Sequence, residues 1–98
     1  MKLDAKRGKL LVERCSEENP DALQFGSNEK PEYQPAIVGI ATRCGQKSLL
    51  VYDRELCIQW LMKHAKMDME NALEWFDFNT AGAWMGKNTP IILERGVE

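Results

Sequence analysis

Signatures of catalysis are what this chain lacks first. It contains no GxGxxG or GxxxxGK phosphate loop, no GxSxG nucleophile elbow, no HExxH and no protein-kinase signature, so the chemistries those local geometries serve are not expected. Histidine occurs once, as His64. It stands two helical turns, ~10 Å along an axis, from Cys57, too far for a Cys–His pair, and its place near a helix end accounts for it as a favoured cation. The three cysteines, Cys15, Cys44 and Cys57, are odd in number and form neither CxxC nor a Cys/His ligand spacing. Neither a zinc site nor a disulfide framework is expected, and reduced thiols fit a cytosolic protein.

Charge of one sign is also missing. The net charge is −2, which creates no field to steer a polyanion. Residues 1–14 carry five basic and two acidic side chains, and residues 15–35 carry one basic and five acidic. The basic head is too small for binding through phosphate neutralisation, so nucleic acid is not an expected partner. No apolar run approaches the ~18 residues that cross a bilayer. The N-terminus offers only Leu10–Val12 as a hydrophobic stretch, so it does not read as a signal peptide. No membrane association and no cofactor are expected, and the cytoplasm is the expected location.

What is present organises itself around residues 51–93, where all three tryptophans and four of the five methionines lie. Residues 36–42 (AIVGIAT) are small and β-branched and read as a strand, with Gly39 marking a bulge or a closely packed neighbour. A polar connection, Arg43–Lys47, has hairpin length and leads to a second strand, Ser48–Tyr52. Asp53 then occupies an N-cap position ahead of a helix with Cys57, Ile58, Leu61, Met62 and Ala65 along one stripe. Asp68 caps a second helix, with Met67 and Ala72 spaced as a hydrophobic staple. That helix places Met69, Ala72, Leu73, Phe76, Thr80 and Ala83 on one face and ends near Gly86. Ile91–Leu93 follows the Lys87–Pro90 turn as a last strand, and Glu94–Glu98 reads as a frayed end.

Upstream, residues 1–34 read as an N-terminal arm and a polar, proline-rich loop, set apart from a compact domain over 35–98. Lys9–Glu13 (KLLVE) fits an edge strand or a short frayed helix. Residues 15–35 hold three of the four prolines together with Gly26, Ser27 and Asn28, which breaks any regular period. Leu23 and Phe25 are the expected anchors of this loop, and Asn19-Pro20-Asp21 the start of a helical turn. The fold class is therefore α+β: a small antiparallel or mixed sheet, two consecutive helices packed on one face, in the order (β)-β-β-α-α-β.

The aromatic load of the second helix is its unusual feature. Phe76 and Phe78 point to roughly opposite sides of a helix, and Trp75 lies about 100° from Phe76. Trp60, Trp75, Phe78 and Trp84 exceed what a two-layer core needs. Either the 15–35 loop folds over them, or they anchor a protein partner. Glu70, Glu74 and Asp77 share a helix face, which reads as a solvated surface rather than a metal site. Asn79 is expected to satisfy a strand or loop carbonyl, with the small run Asn79–Ala83 admitting the sheet. Cys44, between Arg43 and Lys47, is the one candidate reactive thiol.

From Pro35 onward the chain resembles a group of small bacteriophage and prophage proteins. The likeness rests on AIVGIATR, LLVYD and ENALEWFDFNTAGAWMGKNTPIIL, and within the last on Glu70, Ala72, Phe78, Asn79, Ala81–Ala83, Gly86 and Thr89-Pro90. It carries over no activity and no catalytic residue. It implies a phage-encoded accessory protein and nothing of mechanism; together with the absent catalytic signatures and the surplus rings, the expectation is a protein in the cytoplasm of a bacterial host that binds a host or phage protein and inhibits or modulates a host factor. A homodimer, a thiol-dependent enzyme using Cys44, and a nucleic-acid binder using Lys6, Arg7, Lys9, Arg43 and Lys47 are the alternative expectations.

Overall fold

The computed structural model describes residues 1–27 and 29–96. Its first regular element is a helix, α1, Ala5–Glu18, longer than the short frayed helix that Lys9–Glu13 offered as one reading and in place of the edge strand it offered as the other. The helix wins because Asp4 caps it, accepting from the Arg7 amide at 3.0 Å, and because Gly8, Leu11, Val12 and Cys15 recur at helical steps on its inner side. The five-residue window KLLVE conceals that period. Arg7 fixes the helix to the following segment, donating from Nε to the Ile37 carbonyl at 3.0 Å and from Nη2 to those of Lys2 and Pro35 at 2.8 and 3.2 Å.

A 3-10 turn, Gln34–Ala36, delivers the chain into β1, Ile37–Ala41. β2, Leu49–Asp53, pairs antiparallel with β1, as a hairpin requires. The register slips between Ile37 and Gly39, so Gly39 does mark a bulge. No neighbour packs against it: a Cβ there would meet nothing within 4 Å. α2, Arg54–His64, and α3, Met69–Phe76, follow. Both start as read, with Asp53 accepting from Leu56 N at 3.0 Å and Asp68 from Asn71 N at 2.8 Å. Lys66, in the left-handed region at φ 56°, turns the chain between them.

β3, Ile91–Leu93, pairs in parallel with β2, the two helices supplying the crossover such pairing needs. The sheet is thus mixed, in the order β1-β2-β3, and the chain order is α-β-β-α-α-β, helix first. Leu50, Tyr52, Ile40 and Ile92 face a core shared with all three helices through Cys15, Leu56, Cys57, Leu61, Ala72 and Phe76.

Residues 1–34 contribute to that core. Phe25 and Tyr33 are buried, and the Phe25 amide donates to Tyr52 Oη at 3.0 Å. Leu23 holds by its backbone instead, bonding the Asn88 carbonyl at 3.1 Å while its side chain stays exposed. Asn19-Pro20-Asp21 makes a single turn, closed by the Asp21 amide on Asn19 Oδ1 at 3.2 Å. Asn19 is itself buried, and its Nδ2 donates both to the Ser48 carbonyl at 2.9 Å and to Asn88 Oδ1 at 3.1 Å. One amide thereby joins the end of α1, the start of β2 and the approach to β3.

At the other end of β2, the buried Asp53 carboxylate lies 2.7 Å from Arg95 Nε, and Arg95 Nη2 reaches Glu55 Oε2 at 2.7 Å. The first contact is an ion pair without hydrogen-bond alignment. The fraying expected over 94–98 does not apply to Arg95, and residues 97 and 98 lie outside the described residues, as does Asn28.

Candidate functional site

The second helix does not run on to Gly86. After Phe76 the ladder widens into a π-helical turn, Asp77–Ala81, which ends at Gly82. Such turns re-aim side chains and occur often at functional sites. Phe76 points inward and is fully buried, its ring edge-on to Tyr33 at 5.7 Å. Thr80 follows it inward and shares a 2.9 Å hydrogen bond with Tyr33 Oη. Tyr33 holds this position at φ 57°, uncommon for an aromatic residue and retained by the ring packing around it.

Phe78 faces the other way and is 88% exposed. Trp75, 47% exposed, lines the same open depression together with Met67, Asn71, Glu74 and Asn79. Trp84, 78% exposed, stands apart, in a groove with Ala83, Lys87, Pro90 and Ile91. Trp60 belongs to neither. It is half-buried between the rings of Tyr33 and His64, each 4.8 Å away. The 19–33 loop therefore covers one of the four surplus rings and leaves three open.

The polar residues around these rings are occupied locally. Asn79 Nδ2 donates to the Trp75 carbonyl at 3.1 Å, four residues back, rather than to a strand or loop. An exposed side-chain amide bonding four residues back satisfies itself on its own helix. Within the Asn79–Ala83 run Thr80 meets Tyr33, and Thr80, Ala81 and Ala83 line one groove with Leu49, Ile91 and Ile92 of the sheet. Asp77 pairs with Arg54 at 2.5 Å, and the guanidinium, 5.4 Å from the Phe76 ring centroid, covers that ring. This hydrogen bond, followed by the Arg54 charge, holds the Asp77 carboxyl below its usual range. Glu70 and Glu74 are exposed, and no cluster of His, Cys, Asp and Glu suited to a metal ion occurs among the described residues. No helix among them is long and apolar enough to cross a membrane.

The thiols separate by burial: Cys44 is exposed, Cys15 and Cys57 are buried. Burial, then the neighbouring Asp53 charge, pushes the Cys57 thiol far up, and burial with Glu18 raises Cys15. Burial likewise raises Tyr33 and Tyr52. All four are neutral acids whose folded pKa exceeds the unfolded value. Their contribution to stability is complete below pH ~7.5, about a unit under the unfolded thiol value, and falls as pH rises, by up to ~1.4 kcal/mol per pH unit for each group involved. Urea midpoints are expected to drop steadily between pH 8 and 10.5, and native iodoacetamide labelling followed by mass spectrometry should modify Cys44 alone. A flat midpoint, or labelling of Cys57 at the rate of Cys44, would contradict this burial.

A second surface escaped the sequence reading. Gly39 and Ala41 on β1, Leu49 and Val51 on β2, and Ile91 and Leu93 on β3 share the outer side of the sheet by register, and Ile91 and Leu93 remain 40% and 42% exposed. The signal was in LLVY and IIL, which place apolar residues at successive positions and so on both faces. A strand reads that way when it is meant to be covered on two sides.

No protein-family model, curated protein or solved structure matches this chain.

Proposed function

We propose that this chain is a phage-type accessory protein, acting in the cytoplasm of a bacterial host without chemistry of its own, by binding a host or phage protein through Trp75, Phe78 and Trp84. One observation carries the reading: Phe78 and Trp84 are 88% and 78% exposed although the core beside them is already filled by Phe76 and Tyr33. Large aromatic rings held in the open are the usual anchors of an interface, where they fill a partner's pockets at small entropic cost. Trp60 loses its place among the anchors because its ring packs within the monomer. The resemblance to phage proteins over AIVGIATR, LLVYD and ENALEWFDFNTAGAWMGKNTPIIL supports the biological setting.

A homo-oligomeric module is the second reading, favoured by the open outer side of the sheet, which a second copy could cover about a two-fold axis. The test is a pull-down from bacterial lysate with the wild-type chain and a Phe78→Ser/Trp84→Ser variant, with light scattering on both. Specific capture lost in the variant supports the first reading. A dimer that the variant leaves intact, with nothing captured, supports the second.

A further inference from the structure

At one end of the outer sheet face a cleft of about 420 Å³ opens between the β1–β2 connection and the segment leading into β3. Its apolar floor is Ala41, Leu49 and Ile91, and its rim carries Arg43, Lys47 and Lys87. No acidic side chain lines it, although the whole chain has more acidic than basic residues. The three cations are exposed, and no salt bridge among the described residues engages them. Unneutralised charge of one sign around an apolar floor selects a ligand of opposite sign with an apolar part.

The walls are built rather than incidental. Ser48 follows Lys47 on one wall, and Asn88 follows Lys87 on the other. The buried Asn19 amide holds both, through the Ser48 carbonyl at 2.9 Å and Asn88 Oδ1 at 3.1 Å. The Leu23 amide adds a bond to the Asn88 carbonyl at 3.1 Å, and the Gln46 amide closes the connection on the Arg43 carbonyl at 2.8 Å. The backbone from which the three cations project is thus pinned before any ligand arrives, which lowers the ordering cost of binding.

We propose that this cleft, which adjoins the Trp84 groove through Leu49, Lys87 and Ile91 but shares no residue with the Trp75–Phe78 depression, is a second binding site that takes a short acidic segment of a protein partner: one apolar side chain on Leu49 and Ile91, with flanking carboxylates on Arg43, Lys47 and Lys87. A volume of about 420 Å³ sits toward the small end of ligand clefts, which run ~300–1,000 Å³, and suits a few residues of chain rather than a folded face. Nucleic acid fits less well. No aromatic ring lines the cleft to stack a base, and a net charge of −2 opposes a long polyanion.

Fluorescence anisotropy with the full chain tests this, using a labelled hexapeptide of glutamates around a central leucine. Controls are its glutamine counterpart, an all-glutamate hexapeptide and a single-stranded thymidine oligonucleotide. The glutamate–leucine peptide is expected to bind, at least tenfold more weakly in 0.5 M salt than in 0.05 M, and tenfold or more above both peptide controls. Lys87→Glu and Arg43→Glu, with unchanged circular dichroism, should each reduce its affinity at least tenfold, and Phe78→Ala should leave it unchanged. Equal binding of the glutamine peptide, tighter binding of the oligonucleotide, or no peptide binding at all would overturn the proposal. The Phe78→Ala arm keeps its failure separate from failure of the Trp75–Phe78 surface, which shares no residue with the cleft.

Discussion

Gly8→Ala is expected to destabilise the fold by about 3 kcal/mol, although alanine is the better residue for a helix interior by about 1 kcal/mol. The two effects oppose each other, and geometry decides which wins. Gly8 is buried where α1 crosses the Gln34–Ala36 turn, and a Cβ built on it would lie 2.0 Å from the Gln34 carbonyl oxygen and 2.9 Å from its carbon. Those atoms are backbone, so no side-chain rotation relieves the clash. That carbonyl also accepts the Ile37 amide. On either side of the crossing the Asp4 amide bonds the Pro35 carbonyl at 2.9 Å and Arg7 bonds the carbonyls of Pro35 and Ile37 at 3.2 and 3.0 Å. Lifting the helix by the ångström a methyl needs would stretch all of these. Overpacking costs typically ~1–3 kcal/mol and occasionally more, and a clash with pinned backbone belongs at the upper end. In a domain of this size the melting temperature should fall by on the order of 15 °C. Lys6→Ala and Lys9→Ala, on the exposed side of the same helix, serve as controls and should stay within ~0.5 kcal/mol of wild type. A Gly8→Ala midpoint at or above wild type would show that helix and turn do not approach this closely.

The same crossing explains why α1 was hard to read in the sequence and α2 and α3 were not. Asp53 and Asp68 announce their helices within three residues, because an N-cap bond is local, and each is followed by an apolar stripe of large side chains; Asp4 caps α1 in the same way, but no such stripe follows it. α1 buries a glycine and a cysteine where a typical amphipathic helix would show Leu or Ile, and its hold depends on carbonyls some thirty residues away at Pro35 and Ile37. Loop 19–33 is ordered by partners equally remote, Asn19 on Ser48 and Asn88, Phe25 on Tyr52, so its prolines and glycines spoke only of irregularity. Parallel pairing of β3 followed from the two-helix crossover, but a three-residue strand carries no mark of its direction. At the candidate site the excess of rings was legible from angular spacing alone. Which ring stayed open depended on where the π-helical turn began and on Tyr33 reaching Trp60. The cationic cleft was hidden for another reason. Arg43 and Lys47 lie about forty residues from Lys87 in sequence, and only the register Val51↔Ile91 brings them around one floor.

Phe76→Ala and Phe78→Ala, two positions apart on one helical segment, are expected to give opposite results. Phe76 is fully buried, with Tyr33 edge-on at 5.7 Å and the Arg54 guanidinium 5.4 Å from its centroid. Truncating such a ring costs ~3–5 kcal/mol, because transfer energy and packing are lost together and a cavity remains. Set against the ~5–15 kcal/mol that holds a typical domain folded, that is enough to populate unfolded chain near room temperature. Phe78, 88% exposed, has almost no packing to lose, so its truncation should leave the urea midpoint within ~0.5 kcal/mol of wild type. Binding should reverse the order of importance. If Phe78 fills a partner's pocket, its loss costs ~2 kcal/mol or more, about thirtyfold in affinity, in a protein that is still fully folded. Urea unfolding of both variants and titration of Phe78→Ala against the captured partner give the two readouts. A Phe78→Ala variant destabilised by more than about 1 kcal/mol would mean that the ring packs within the monomer, and the interface would have to be sought elsewhere. A variant equal to wild type in both stability and binding would leave Trp75 and Trp84 to carry the contact without it. Only full stability with lost binding identifies a ring whose single use lies outside its own fold.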